Sequence, residues 1–156
     1  MRTALLALAA LAISGPAFAQ TKTGQFAVRA SVNADCQITT RDLDFGSYAA
    51  ASNTRANTSF DVRCTAGSAV TISLDGGQSG NPQQRTMTGQ GANLGYQLYK
   101  DAAYQNPINT VGATWQLSNS ENTGQTVTYN VYGDIPTGQA VPAGNYTDTV
   151  RVTVQY

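Results

Sequence analysis

The sequence predicts an all-β sandwich in a single domain. Apolar and polar residues alternate with period two in eight or nine short stretches, the signature of half-buried strands. Turn formers (Gly, Asn, Asp, Ser and Pro) separate those stretches, and none of them sustains the i, i+3, i+4 spacing of an amphipathic helix. Many short strands with regular turn signals read as two packed sheets.

Residues 1–19 are expected to lie outside the fold. Met1-Arg2-Thr3 is a basic start, residues 4–13 are apolar, Ser14-Gly15-Pro16 breaks the run, and Ala17-Phe18-Ala19 has the small-x-small form of a cleavage site. The reading is a cleaved signal peptide and an exported chain starting at Gln20. The apolar run is well short of the roughly twenty residues that cross a bilayer.

After a polar leader, Phe26, Val28, Ala30 and Val32 alternate with Gln25, Ala27, Arg29 and Ser31. Cys36-Gln37-Ile38-Thr39 continues as a short strand, residues 43–48 read as another ending near Gly46, and the small polar residues 49–57 read as a loop. Further strands are expected where Phe60, Val62 and Cys64 alternate, at Val70, Ile72 and Leu74, and at residues 85–89, which suit an edge. Leu94, Tyr96 and Leu98 mark the next, Trp115 and Leu117 a short one, and Val127, Tyr129 and Val131 another. Residues 75–82, with Asp75-Gly76-Gly77 and Gly80, make a turn; a phosphate loop would end in Gly-Lys-Ser/Thr and open a helix.

The clearest pattern closes the sequence. Tyr146, Asp148, Val150, Val152, Val154 and Tyr156 occupy one face, and Asn145, Thr147, Thr149, Arg151, Thr153 and Gln155 the other. No later segment pairs beside this strand, so an apolar strand with an uncovered edge is expected. Asp148 interrupts the apolar face and is read as a rim residue paired with Arg151 or a loop N–H.

Composition narrows the function. Nine basic and nine acidic residues balance, and losing Arg2 with the leader leaves eight and nine, a net charge of −1. Nothing marks a nucleic-acid surface or a membrane-binding helix. In an exported chain Cys36 and Cys64 most simply form one disulfide, closing a loop of about 28 residues and contributing about 3 kcal/mol. The absence of histidine removes Ser-His-Asp and Cys-His chemistry and leaves a metal site without imidazole ligands. Lys22 and Lys100 have no serine at a recognisable spacing, and surface solvation accounts for the scattered carboxylates. No enzyme activity, metal or cofactor is expected. Trp115 and Tyr104 are stacking candidates for a monomeric carbohydrate-binding adhesin, although aromatics in a sandwich more often belong to the core.

The chain resembles the spore coat protein U family, whose members include pilins of the archaic chaperone–usher type. The resemblance is carried by the leader 23–25 running to Cys36, by Phe45-Gly46, and by Leu74-Asp75-Gly76-Gly77 after Cys64. It continues through Tyr96-Gln97-Leu98-Tyr99-Lys100-Asp101, Tyr132-Gly133-Asp134-Ile135-Pro136 and residues 143–150. It implies an incomplete immunoglobulin-like sandwich at residues 34–156, completed by a strand from another molecule. A periplasmic chaperone would lend that strand first. A like subunit would then supply it from an N-terminal segment, here residues 20–33, at an outer-membrane usher. Phe26, Val28, Ala30 and Val32 are the expected donor residues, and Val150, Val152, Val154 and Tyr156 the acceptor strand. The implied function is a fibre subunit for adhesion or biofilm, exported through the periplasm to the cell surface, with a spore or cyst coat protein as the alternative. Periodicity alone equally describes residues 25–32 as the first strand of this domain's own sheet.

Overall fold

A computed structural model describes residues 18–110, 112 and 114–156, so the expected signal peptide lies almost wholly outside the described residues. Residues 32–156 form one compact unit. Residues 18–31 belong to a separate unit and carry no regular secondary structure.

The described residues of the compact unit form eight strands: β1 (Cys36–Thr40), β2 (Thr54–Cys64), β3 (Val70–Leu74), β4 (Arg85–Gly89), β5 (Ala92–Tyr99), β6 (Trp115–Leu117), β7 (Val127–Ile135) and β8 (Val152–Gln155). One antiparallel sheet has the order β1-β2-β7-β5-β4 and the second the order β6-β3-β8. The alternation seen in the sequence is the packing pattern. Phe60 and Val62 of β2, Val70, Ile72 and Leu74 of β3, Leu94, Tyr96 and Leu98 of β5, and Val131 and Ile135 of β7 meet in one core. Phe60 stacks on Tyr129 at 5.3 Å and meets the edge of Trp115 at 5.5 Å, joining the two sheets through aromatic contacts. Gln90 and Gly91 link β4 to β5 with φ of 50° and 71°, the two positive values a tight hairpin of this twist requires.

Several boundaries differ from the sequence reading. Residues 54–57, expected in a loop, begin β2: Thr54 to Val62 pair continuously with Ile135 to Val127, and that ladder outweighs the weak strand preference of small polar residues. Residues 43–48, expected as a strand, belong to neither sheet; Leu43, Phe45 and Tyr48 are large and apolar because they pack on the core, not because the backbone has a ladder partner. The same distinction applies to residues 25–32, whose alternation is not accompanied by any strand pairing. The last strand shortens to Val152–Gln155, although half-burial at 146, 148, 150, 152 and 154 and exposure between them persist along the whole stretch.

Candidate functional site

The candidate site is the outer edge of β8 together with the cleft beside residues 145–147, a few positions upstream of it. Among the described residues β8 pairs with β3 alone, with Ser73 opposite Thr153 and Leu74 opposite Val152. One step upstream, Asp75 N–H donates to Arg151 C=O (3.1 Å), so positions 151, 153 and 155 turn their backbone groups toward β3. In an extended chain those directions alternate, so the N–H and C=O groups of Val150, Val152 and Val154 point away from β3. Their side chains pack on the core. This is a strand edge of the kind that templates the addition of another strand.

The far wall of the cleft is formed by residues 43–48. Gly133 in β7 makes room for it: a Cβ there would lie 2.5 Å from Phe45 Cζ and 2.7 Å from Leu43 Cδ2. Phe45 meets Tyr96 edge to face at 6.1 Å. The Tyr48 hydroxyl donates to Pro136 C=O (3.0 Å) and accepts from Gln139 N–H (3.0 Å). Gln139 in turn uses its side-chain amide as a strand would, accepting from Gly95 N–H (2.7 Å) and donating to Gly95 C=O (2.8 Å). Among the described residues, 43–48 make no backbone–backbone hydrogen bond, and of their peptide groups the Gly46 N–H is taken by Asp44 Oδ1 (2.8 Å). Between this wall and Val141 and Tyr146 opens a cleft of about 850 Å³, floored by Met87, Leu94 and Ile135. Ile38 of β1 faces the same way as buried Val62, its register partner, yet is 40% exposed.

Polar groups hold the β8 side of the cleft from behind. Asp148 accepts from Gln78 N–H (2.7 Å), Thr149 N–H (2.7 Å) and the Tyr96 hydroxyl (2.6 Å). The loop N–H partner expected for Asp148 is therefore present, but Arg151 pairs with Asp75 (3.6 Å) instead. Burial, and then the Asp148 carboxylate it donates to, push the Tyr96 phenol far above its ordinary value, keeping it a donor. Below this turn lies Arg85, only 1% exposed. Its guanidinium donates to the carbonyls of Asp75 (2.7 and 3.1 Å), Pro82 (2.8 Å) and Ile108 (2.5 Å) and to Gln97 Oε1 (2.9 Å). Burial lowers its pKa, but an arginine with its donors so satisfied stays charged at neutral pH.

The other residues singled out in the sequence fall as follows. Cys36 and Cys64 are joined by a disulfide across the first register pair of β1 and β2. Phe26, Val28 and Val32 are 84–87% exposed, and Ala30 is exposed too. Tyr156 lies beyond the end of β8 and is 58% exposed, apart from the half-buried Val150, Val152 and Val154. Trp115 joins Phe60 and Tyr129, whereas Tyr104 sits against Tyr99 (5.4 Å) with the Arg55 guanidinium 4.1 Å over its ring; the two belong to different clusters. Sequence reasoning missed Gln139 and Val141 altogether. Leu43, Phe45 and Tyr48 carry a signal as large residues in the short stretch 43–48, which the sequence presents as a strand ending at a glycine. No group of three or more His, Cys, Asp or Glu among the described residues is placed to hold a metal ion.

Comparison with known proteins places this geometry. A family model described as the Spore Coat Protein U domain matches residues 22–153. No curated protein matches the sequence. Among solved structures, the chain is similar to one in the crystal structure of the CsuC–CsuE chaperone–tip adhesion subunit pre-assembly complex from archaic chaperone–usher Csu pili of Acinetobacter baumannii. The identity is 27%, with a TM-score of 0.60 over 80% of this chain and 40% of that one, so the present chain spans less than half of its relative's length. It is also similar to the P pilus rod subunit PapA, with 11% identity and a TM-score of 0.54 over 78% of this chain and 98% of that one, a likeness of fold. The chain belongs to the Spore Coat Protein U domain family.

Proposed function

From that membership we propose that this chain is a structural subunit of a chaperone–usher surface fibre, receiving a strand in its cleft and donating residues 20–33 to the next copy. The observation that carries this reading is the cleft between residues 43–48 and residues 145–147, just upstream of the open edge of β8. An extended peptide entering there gains main-chain hydrogen bonds from both walls and lays alternate side chains on Met87, Leu94 and Ile135. Phe26, Val28, Ala30 and Val32 supply that alternation and lie exposed. Burying Phe26 and the two valines would contribute about 1.5–3 kcal/mol each.

In this reading residues 1–19 direct export and are removed. A periplasmic chaperone covers the cleft until an outer-membrane usher exchanges its strand for that of a like subunit. The fibre serves attachment or biofilm formation, and the cleft is a binding groove with no enzymatic role. The adhesin alternative has no comparable support, since Trp115 is packed against Phe60 and Tyr129 and one face of the Tyr104 ring is covered by Arg55.

The test is to express the full chain with a chaperone and usher and to compare it with a deletion of residues 20–32 and with a Phe26→Asp, Val28→Asp double variant. Electron microscopy should show fibres for the first and folded, unpolymerised subunits for the others. Fibres of ordinary length from either variant would overturn the donor assignment, and ordered sheets or shells in place of fibres would favour a coat protein.

A further inference from the structure

β8 is only four residues long, yet the inward face continues upstream through Val150, Asp148 and Tyr146 without a strand to pair with. Two aspartates hold that upstream stretch. Asp75, the residue after β3, extends the β3–β8 ladder by one more pair, half of it made by a side chain. Its N–H donates to Arg151 C=O (3.1 Å) while its own Oδ1 accepts from Arg151 N–H (2.9 Å) and Gly77 N–H (3.0 Å). Asp148 answers from the other side, its Oδ1 accepting from Gln78 N–H (2.7 Å) in the turn that Asp75 begins and its Oδ2 from Tyr96 (2.6 Å). A Cβ on Gly77, whose φ is +63°, would collide with the Asp148 carboxylate, so only glycine lets the two segments close on each other. At the far end, Thr147 exchanges both backbone hydrogen bonds with Thr88 of β4 (2.9 and 3.1 Å).

All these contacts engage one side of the stretch. Thr147 and Arg151 turn their backbone groups to Thr88 and Asp75, which leaves those of Tyr146, Asp148 and Val150 on the opposite side, in line with Val152 and Val154. The continuous edge from 146 to 154 is about 30 Å long, against about 13 Å for β8 alone, at about 3.3 Å per residue.

We propose that Asp75 and Asp148 are positioning residues that double the length of the acceptor edge, so that the site takes an extended segment of nine or so residues in place of a short one. This rests on the strand-acceptor reading above. The occupant is the corresponding length of a second copy, and residues 24–33 are long enough to fill it.

The experiment is site-resolved amide hydrogen exchange on the mature chain, with and without a synthetic peptide of residues 20–33. In the wild type, the peptide should protect Tyr146, Asp148, Val150, Val152 and Val154 together, each by at least about tenfold. In Asp75→Ala and Asp148→Ala, which remove the acceptor oxygens, protection should persist at Val152 and Val154 but fall away at Tyr146, Asp148 and Val150, while core amides such as Ile72 and Val131 stay unchanged. A purely structural role would instead weaken protection throughout. Should neither variant fold, the wild type without peptide decides, because the latch requires the Gln78 and Arg151 amides to be protected already; free exchange at those two overturns it. Identical five-residue protection in wild type and variants also overturns it. Failure of the peptide to protect even Val152 and Val154 in the wild type would instead sink the strand-acceptor reading.

Discussion

Replacing Gly133 by alanine probes the far wall of the cleft with a single methyl group. The new Cβ would lie 2.5 and 2.8 Å from Phe45 Cζ and Cε1 and 2.7 Å from Leu43 Cδ2, where carbon atoms ordinarily approach to about 3.5–4.0 Å. Something must move by roughly 1 Å. β7 is paired on one side with β2 and on the other with β5, whereas residues 43–48 are held by side chains without a backbone ladder, so the wall yields before the sheet does. Overpacking of this kind costs about 1–3 kcal/mol. If the displaced wall is the one that receives a strand, a peptide of residues 20–33 should bind more weakly by about 5- to 150-fold. Fluorescence anisotropy of the labelled peptide on the mature chain measures this, with thermal unfolding recorded in parallel. Combining Gly133→Ala with Phe45→Leu, which shortens the side chain in the way, should recover part of the loss, a coupling expected only of groups in contact. Unchanged peptide affinity in a folded Gly133→Ala protein would show that residues 43–48 do not line the site.

Two further expectations concern stability. Arg85→Met should lower the stability by at least about 3 kcal/mol, because it leaves the buried carbonyls of Pro82 and Ile108 and the half-buried carbonyl of Asp75 without their donor; an unchanged urea midpoint would contradict this. The Arg41 guanidinium, and then the Thr128 hydroxyl, hold Asp61 below the usual carboxylate range, and the Ser118 hydroxyl and N–H do the same for Glu121. Both folded-state values lie below the unfolded ones, so their contribution is present above about pH 4 and is lost as the pH falls through the depressed values. Urea midpoints from pH 2 to 7 should rise to a plateau, and Arg41→Ala should flatten that rise.

How much was legible in advance differs from element to element. Period-two alternation located β3, β5 and the burial pattern of residues 146–154, because a strand with one face in a core must alternate whatever lies beside it. It misjudged residues 43–48 and 54–57 in opposite directions for one reason. Alternation reports which side chains are buried, and small polar residues conceal it, but neither says whether the backbone has a partner.

From the sequence alone came the all-β class, the balanced charge, the absence of histidine chemistry and the apolar face of the last stretch. Those are properties of composition and of neighbouring residues along the chain. The tertiary structure decided that β8 is an edge, that residues 43–48 stand across a cleft from residues 145–147 upstream of it, and that Asp75 and Asp148 clasp that upstream stretch from behind. Asp75 and Arg151 are 76 positions apart and Gln78 and Asp148 are 70 apart. Contacts between groups so far separated exist only once the two sheets have packed, and no local pattern of residues encodes them.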